Sequence, residues 1–142
     1  MATVAKWFYP VLVLALLWNL MGLFVFWTDA TMTPEQVAAM PAAMQDVYNS
    51  RPLWSVLSTA AAVIGGTLGT VLLLLRLPLA MPLLIMSLAG VILQDVSFAV
   101  QPAARALIDQ TVIMLQGLVL LVALGLVYLS RFAGQRGWLK NR

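Results

Sequence analysis

Residues 53–100 read LWSVLSTAAAVIGGTLGTVLLLL, then RLP, then LAMPLLIMSLAGVILQDVSFAV. Two unbroken apolar runs meet at Arg76-Leu77-Pro78. Each exceeds the ~20 residues that a helix rising 1.5 Å per residue needs to cross about 30 Å of hydrocarbon. A connection this short makes them antiparallel neighbours.

Working outward, two further runs of the same kind occupy 7–28 and 108–130, beside 53–75 and 79–100. None carries Lys, Arg or Glu in its middle. The expected fold is an all-α membrane protein, four transmembrane helices in an antiparallel bundle forming one domain over 1–142. Composition agrees: hydrophobic residues make up 63% of the 142 and charged residues 9%, with a mean hydropathy of +0.98. A water-soluble chain carries about 25% charged residues. The first run is longer than the 7–15 apolar residues of a signal peptide and lacks a small-residue cleavage pattern, so it is expected to stay in the mature protein. Trp7, Phe8, Tyr9, Trp27, Trp54, Tyr128 and Trp138 flank the runs, where aromatic rings settle at headgroup level.

Charge sets the orientation. With a cytoplasmic N-terminus, Lys6, Arg76, Arg131, Arg136, Lys140 and Arg142 lie inside and only Arg51 and Arg105 outside. All five acids, Asp29, Glu35, Asp46, Asp95 and Asp109, then fall outside. The positive-inside rule selects this threading, with both termini cytoplasmic and a basic tail over 131–142. The first outer loop opens on Thr33-Pro34-Glu35-Gln36, an N-cap, a proline at the first helical position and a capping-box partner. It predicts a short amphipathic helix over about 34–49, which Pro41 can split into two turns.

Inside lipid, helices associate through small residues and through polar side chains that need partners. On the third run Ser87, Gly90, Gln94, Ser97 and Gln101 share a stripe; on the first, Ala15, Asn19, Gly22 and Phe26; on the second, Thr59, Ala62, Gly66 and Gly69, with Gly65-x-x-x-Gly69 overlapping. On the fourth, Asp109 and Gln116 share a face. Gly22, Gly65, Gly66, Gly69, Ser87 and Gly90 are the expected packing positions. Whether the glycine pattern packs within one chain or between two stays open. Trp18, Asn19, Gln94, Asp95 and Gln116 form a candidate polar pocket in the outer half of the bundle. Amide side chains at such positions more often bond helix to helix than touch a ligand. Asp95, with Arg51 or Arg105 as available partners, is either functional or at the water boundary.

Catalysis is not expected. Histidine and cysteine are absent, which removes the commonest general base, thiol nucleophiles and most metal sites. Gly65-Gly66 lies inside an apolar run with no lysine after it, so no phosphate loop forms. No cofactor, metal or nucleic acid is expected; the basic residues mark the ends of spans.

The pieces Ala15-Leu16-Leu17-Trp18-Asn19-Leu20-Met21-Gly22, Met32-Thr33-Pro34-Glu35 and Gly66-Thr67-Leu68-Gly69, with Ser87-Leu88-x-Gly90 after them, resemble a group of small bacterial inner-membrane proteins of unknown function. Members of that group commonly carry an automatic sugar-transporter label. The resemblance spans the first three runs and fades after Gln94. It implies a multi-pass protein of a bacterial inner membrane and maps no substrate residues. Two functions follow. One is a helix-packing module that binds a partner protein, a second copy of itself or lipid. The other is a small-solute transporter acting as a homo-oligomer, with Asn19, Gln94, Asp95 and Gln116 lining the path and Trp18 stacking on a sugar-like ring.

Overall fold

The computed structural model describes residues 2–140 and is all-helical, with no strand among them. In chain order the helices are α1 (Phe8–Ala30), α2 (Pro34–Ala38), α3 (Ala42–Ser50), α4 (Leu53–Leu74), α5 (Ala80–Val100), α6 (Pro102–Arg105) and α7 (Gln110–Gln135). Four of them, α1, α4, α5 and α7, are long and apolar enough to cross a membrane. Their outward faces are greasy: Leu14, Phe24, Met114, Leu121 and Tyr128 are each 66–69% exposed. Water would penalise such a surface, whereas lipid tails do not.

The long helices pack in series, α1 on α4, α4 on α5 and α5 on α7. The α4–α5 interface is the most extensive because glycine removes the side chain where the backbones cross. A Cβ on Gly90 would stand 2.6 Å from the Ser58 carbonyl oxygen and 2.7 Å from the Ala62 nitrogen, and one on Gly65 would stand 2.9 Å from the Leu83 carbonyl oxygen. Ser87 Oγ donates across the same interface to the Ala62 carbonyl at 2.6 Å. The Gly65-x-x-x-Gly69 pattern is therefore consumed within the chain, with Gly69 against Leu84.

At one end the four long helices converge. Phe8, Leu12, Leu73, Ala80, Leu84, Leu126, Leu129 and Ala133 form a continuous core there, closed by Trp138. Trp138 is buried within the bundle end, not exposed at its rim. Past α7 the chain reverses at Gly137, whose φ is +67°, and the Trp138 N–H returns to the Ala133 carbonyl at 2.9 Å. The indole is then buried against Phe8 and Phe132, at ring-centroid distances of 5.3 and 5.4 Å. The α4–α5 turn is capped in the same way: Arg76 has φ +64° and the Leu77 N–H reaches the Leu72 carbonyl at 2.8 Å. Both are helix ends with one left-handed residue. They are tied together, since Arg76 Nε donates to the Trp138 carbonyl at 2.5 Å and the Lys140 N–H to the Arg76 carbonyl at 2.7 Å. Arg142, counted with the basic residues of this end, lies outside the described residues.

At the opposite end the segment between α1 and α4 carries two helices in place of one over 34–49. Pro41 separates them, itself capping α3, and the Gln45 amide donates to the Ala38 and Met40 carbonyls that the break leaves free. Thr33 and Gln36 form a reciprocal capping box at the start of α2.

Candidate functional site: a cleft between the first and last long helices

Helices α1 and α7 both flank the α4–α5 pair, and away from the converged end they stand apart. The space between them is a cleft of about 360 Å³, with α4 and α5 as its back wall. That volume lies in the range of about 300–1,000 Å³ common to small-molecule sites. Met21 and Val25 on α1 and Leu115 on α7, each more than half exposed, form its lips. Leu84 and Leu126 lie at its base, where the cleft meets the converged core.

The walls are graded in polarity. Thr59, Gln94 and Gln116 line the cleft from three different helices, each six positions from the helix end farther from the core, Leu53, Val100 and Gln110 respectively. At 1.5 Å per residue that is one shared level, about 9 Å in. Gln94 Nε2 donates to Gln116 Oε1 at 3.4 Å, a long bond across the α5–α7 interface. Below this level Asn19 and Ser87 are already engaged. Asn19 Nδ2 donates to the Ala15 carbonyl at 2.8 Å, while its Oδ1 lies against the bare backbone of Gly66. Deeper still the walls are Leu84, Val122, Ala123 and Leu126.

At the mouth Asp29 completes the lining. Its Oδ2 accepts from Arg51 at 2.6 Å, and the Arg51 guanidinium also lies over the Tyr48 ring, 4.2 Å from its centroid. Tyr48 in turn donates to the Asp29 carbonyl at 3.4 Å. The two charges at the mouth thus balance each other.

Of the expected pocket residues, Trp18, Asn19, Gln94 and Gln116 line the cleft together. Asp95 does not: one step beyond Gln94 turns a side chain by about 100° around α5. It is half-buried, with Oδ1 buried and without a hydrogen-bond partner. Neither expected cation reaches it, because Arg51 holds Asp29 and Arg105 is exposed on α6. Asp109 is the N-cap of α7, accepting from the Val112 N–H at 2.8 Å. Of the packing positions, Gly22 and Ser87 also face the cleft, and a Cβ on Gly22 would meet Val63 at an ordinary 3.6 Å. Sequence reasoning missed Asp29. Its signal was present: Asn19, Gly22 and Phe26 are spaced by three and four, and the next member of that series is residue 29.

In comparisons with protein-family models, curated proteins and solved structures, nothing matches this chain.

Proposed function

We propose that the chain is a non-catalytic, multi-pass protein of a bacterial inner membrane, an antiparallel four-helix bundle with both termini cytoplasmic, whose function is to bind a lipid in the α1–α7 cleft. The threading is supported by the clustering of Lys6, Arg76, Arg131, Arg136 and Lys140 around the converged end and of the acids around the other, as the positive-inside rule requires. In that orientation the cleft opens in the outer leaflet and sideways into lipid.

The observation that carries the reading is the closed base. Phe8, Leu12, Leu73, Leu84, Leu126 and Leu129 fill the bundle between the cleft and the basic end. A site closed at its base supports retention over passage. The packing glycines of α4 and α5 are spent inside the chain, so the space left for an occupant is the cleft. An apolar cavity open to lipid loses dispersion contacts unless something fills it, and lipid is the solvent at its lips.

The test is native mass spectrometry of the protein extracted from vesicles, beside an Ala123→Phe variant that fills the base of the cleft. One lipid per chain surviving delipidation, and lost in the variant, supports the reading. A bare protein, or one that holds a second copy or a protein partner in place of lipid, overturns it. The alternative, transport of a small solute by a homo-oligomer, draws support from Trp18, Asn19, Gln94 and Gln116, which line the same cleft from three helices, and from the resemblance to proteins labelled sugar transporters. Uptake of sugars into liposomes by the natural protein, abolished by Gln94→Leu, would establish it.

A further inference from the structure

The distribution of hydrogen-bonding groups in the cleft goes further than its shape, and resting on the lipid-binding reading above it specifies a head group. Four observations bear on it. First, the polar level formed by Thr59, Gln94 and Gln116 contains amides and a hydroxyl and no charge. Second, the charges nearest the mouth, Asp29 and Arg51, satisfy each other at 2.6 Å, and the guanidinium is further covered by Tyr48. A phosphate arriving there would have to break that pair and leave Asp29 beside it, so an anionic head group is disfavoured. Third, the Gln94–Gln116 bond uses one donor of Gln94 and one lone pair of Gln116, leaving Gln94 Oε1 and Gln116 Nε2 without partners among the described residues. The pair therefore still offers both acceptor and donor capacity to the cleft. Fourth, Thr59 and Ser87 already donate their hydroxyl protons, to the Ser55 carbonyl at 3.2 Å and the Ala62 carbonyl at 2.6 Å. They add acceptor capacity only.

From these we infer that the cleft selects an uncharged amphipath whose head group both donates and accepts a hydrogen bond, a neutral lipid bearing a free hydroxyl or amide. Its head lies level with Gln94 and Gln116 and its chain runs down past Val119, Val122 and Ala123 toward Leu126. The depth fits. From Asp29 to Trp18 the cleft follows α1 for about 16 Å at 1.5 Å per residue, close to half of the ~30 Å hydrocarbon layer. A head group resting about 9 Å below the helix ends also gives up part of its hydration. A hydroxyl or amide does this far more cheaply than an ion when partners wait for it. Zwitterionic phospholipids are held out on the same ground, since no unpaired charge in the cleft receives either of theirs.

The experiment reconstitutes the full chain in phosphatidylcholine vesicles containing equal amounts of diacylglycerol, which carries one free hydroxyl, triacylglycerol, which carries none, and anionic phosphatidylglycerol. Native mass spectrometry then reads the lipid held by the extracted protein. Diacylglycerol is expected to be enriched over its share of the vesicle on the order of fivefold to tenfold, the scale of one or two hydrogen bonds. Triacylglycerol and phosphatidylglycerol are expected not to be enriched. Replacing both amides, Gln94→Leu with Gln116→Leu, removes the two partners together and is expected to equalise diacylglycerol and triacylglycerol while one apolar lipid is still held. The natural protein's selectivity tests the inference even if that variant does not fold. Retention of lipid without regard to head group, or preference for phosphatidylglycerol, overturns the head-group inference and leaves lipid binding standing. Retention of no lipid of any class overturns both.

Discussion

Asn19 of α1 and Gly66 of α4 interlock: the Asn19 carboxamide oxygen occupies the position a Cβ on Gly66 would take. The amide nitrogen is anchored back to the Ala15 carbonyl, so the side chain is stiff and serves as a peg between helices. Gly66→Ala is expected to push α1 off α4 and lower stability by about 1–3 kcal/mol, the usual range for overpacking. Thermal unfolding in detergent measures this. Pairing it with Asn19→Ala should return part of the loss, because the peg is then gone.

Glycines at other positions separate into two groups. Gly90→Ala drives a methyl into the backbone of Ser58 and Ala62, and neither can step aside without moving α4. It is expected to be more damaging than Gly69→Ala, where the closest atoms, at 2.7 and 2.8 Å, belong to the Leu84 side chain and its backbone nitrogen stands farther off at 3.2 Å. Gly117 and Gly125 of α7 face nothing within 4 Å. Alanine there is expected to be neutral or to raise stability by up to about 1 kcal/mol through helix propensity. The same unfolding assay ranks all four.

The Asp29–Arg51 pair joins the end of α1 to the start of α4. Both side chains are partly solvent-exposed, 33% and 23%, so its contribution is modest, about 0.5–1 kcal/mol. A double-mutant cycle with Asp29→Asn and Arg51→Gln is expected to return a coupling of that size. Hydrogen exchange in α3 should rise in Arg51→Gln, since Tyr48 loses the cation stacked on it.

Glu35 in the first turn of α2 is held below the ordinary glutamate pKa, first by its hydrogen bond to backbone and then by that to Thr33. A lowered folded-state pKa means the local structure is favoured by the ionised form. Its contribution is present above the unfolded value and is lost as pH falls through the lowered one. Carbon-13 NMR of the carboxyl should show a midpoint below the ordinary value of 4.5. Amide shifts of residues 36–38 should follow the same titration and cease to do so in Glu35→Gln.

The chain lacks cysteine, so single cysteines report sidedness without background. Residue 36 is expected to react with an impermeant thiol reagent from outside intact cells, and residue 140 only after permeabilisation. Equal labelling of both from one side would break the threading, and the opposite pattern would reverse it.

The long helices were legible because run length alone distinguishes a helix solvated by lipid from one solvated by water. Expected spans of 53–75 and 79–100 meet helices of Leu53–Leu74 and Ala80–Val100. The last apolar run ends at Ser130 while the helix continues to Gln135, since hydropathy marks where lipid ends and a hydrogen-bonded helix continues until a residue such as Gly137 turns it. The candidate site was half legible. A stripe of small and polar residues names the inward face of each helix, but not that α1 and α7 diverge, which depends on four helices packing in series. Asp95 shows the angular limit: beside Gln94 in sequence, it points elsewhere. Trp138 shows another, because sequence does not foretell the chain reversal that tucks its indole under Phe8.

The clasp between Trp138 and Arg76 has a consequence for biogenesis. Residues 138–140 leave the ribosome after all four long helices, yet they supply the bonds that fasten the hairpin made more than sixty residues earlier. Until then α4 and α5 hold together by their own contacts, the glycine crossings and the Ser87–Ala62 hydrogen bond among them, and the converged end of the molecule stays unlocked during insertion.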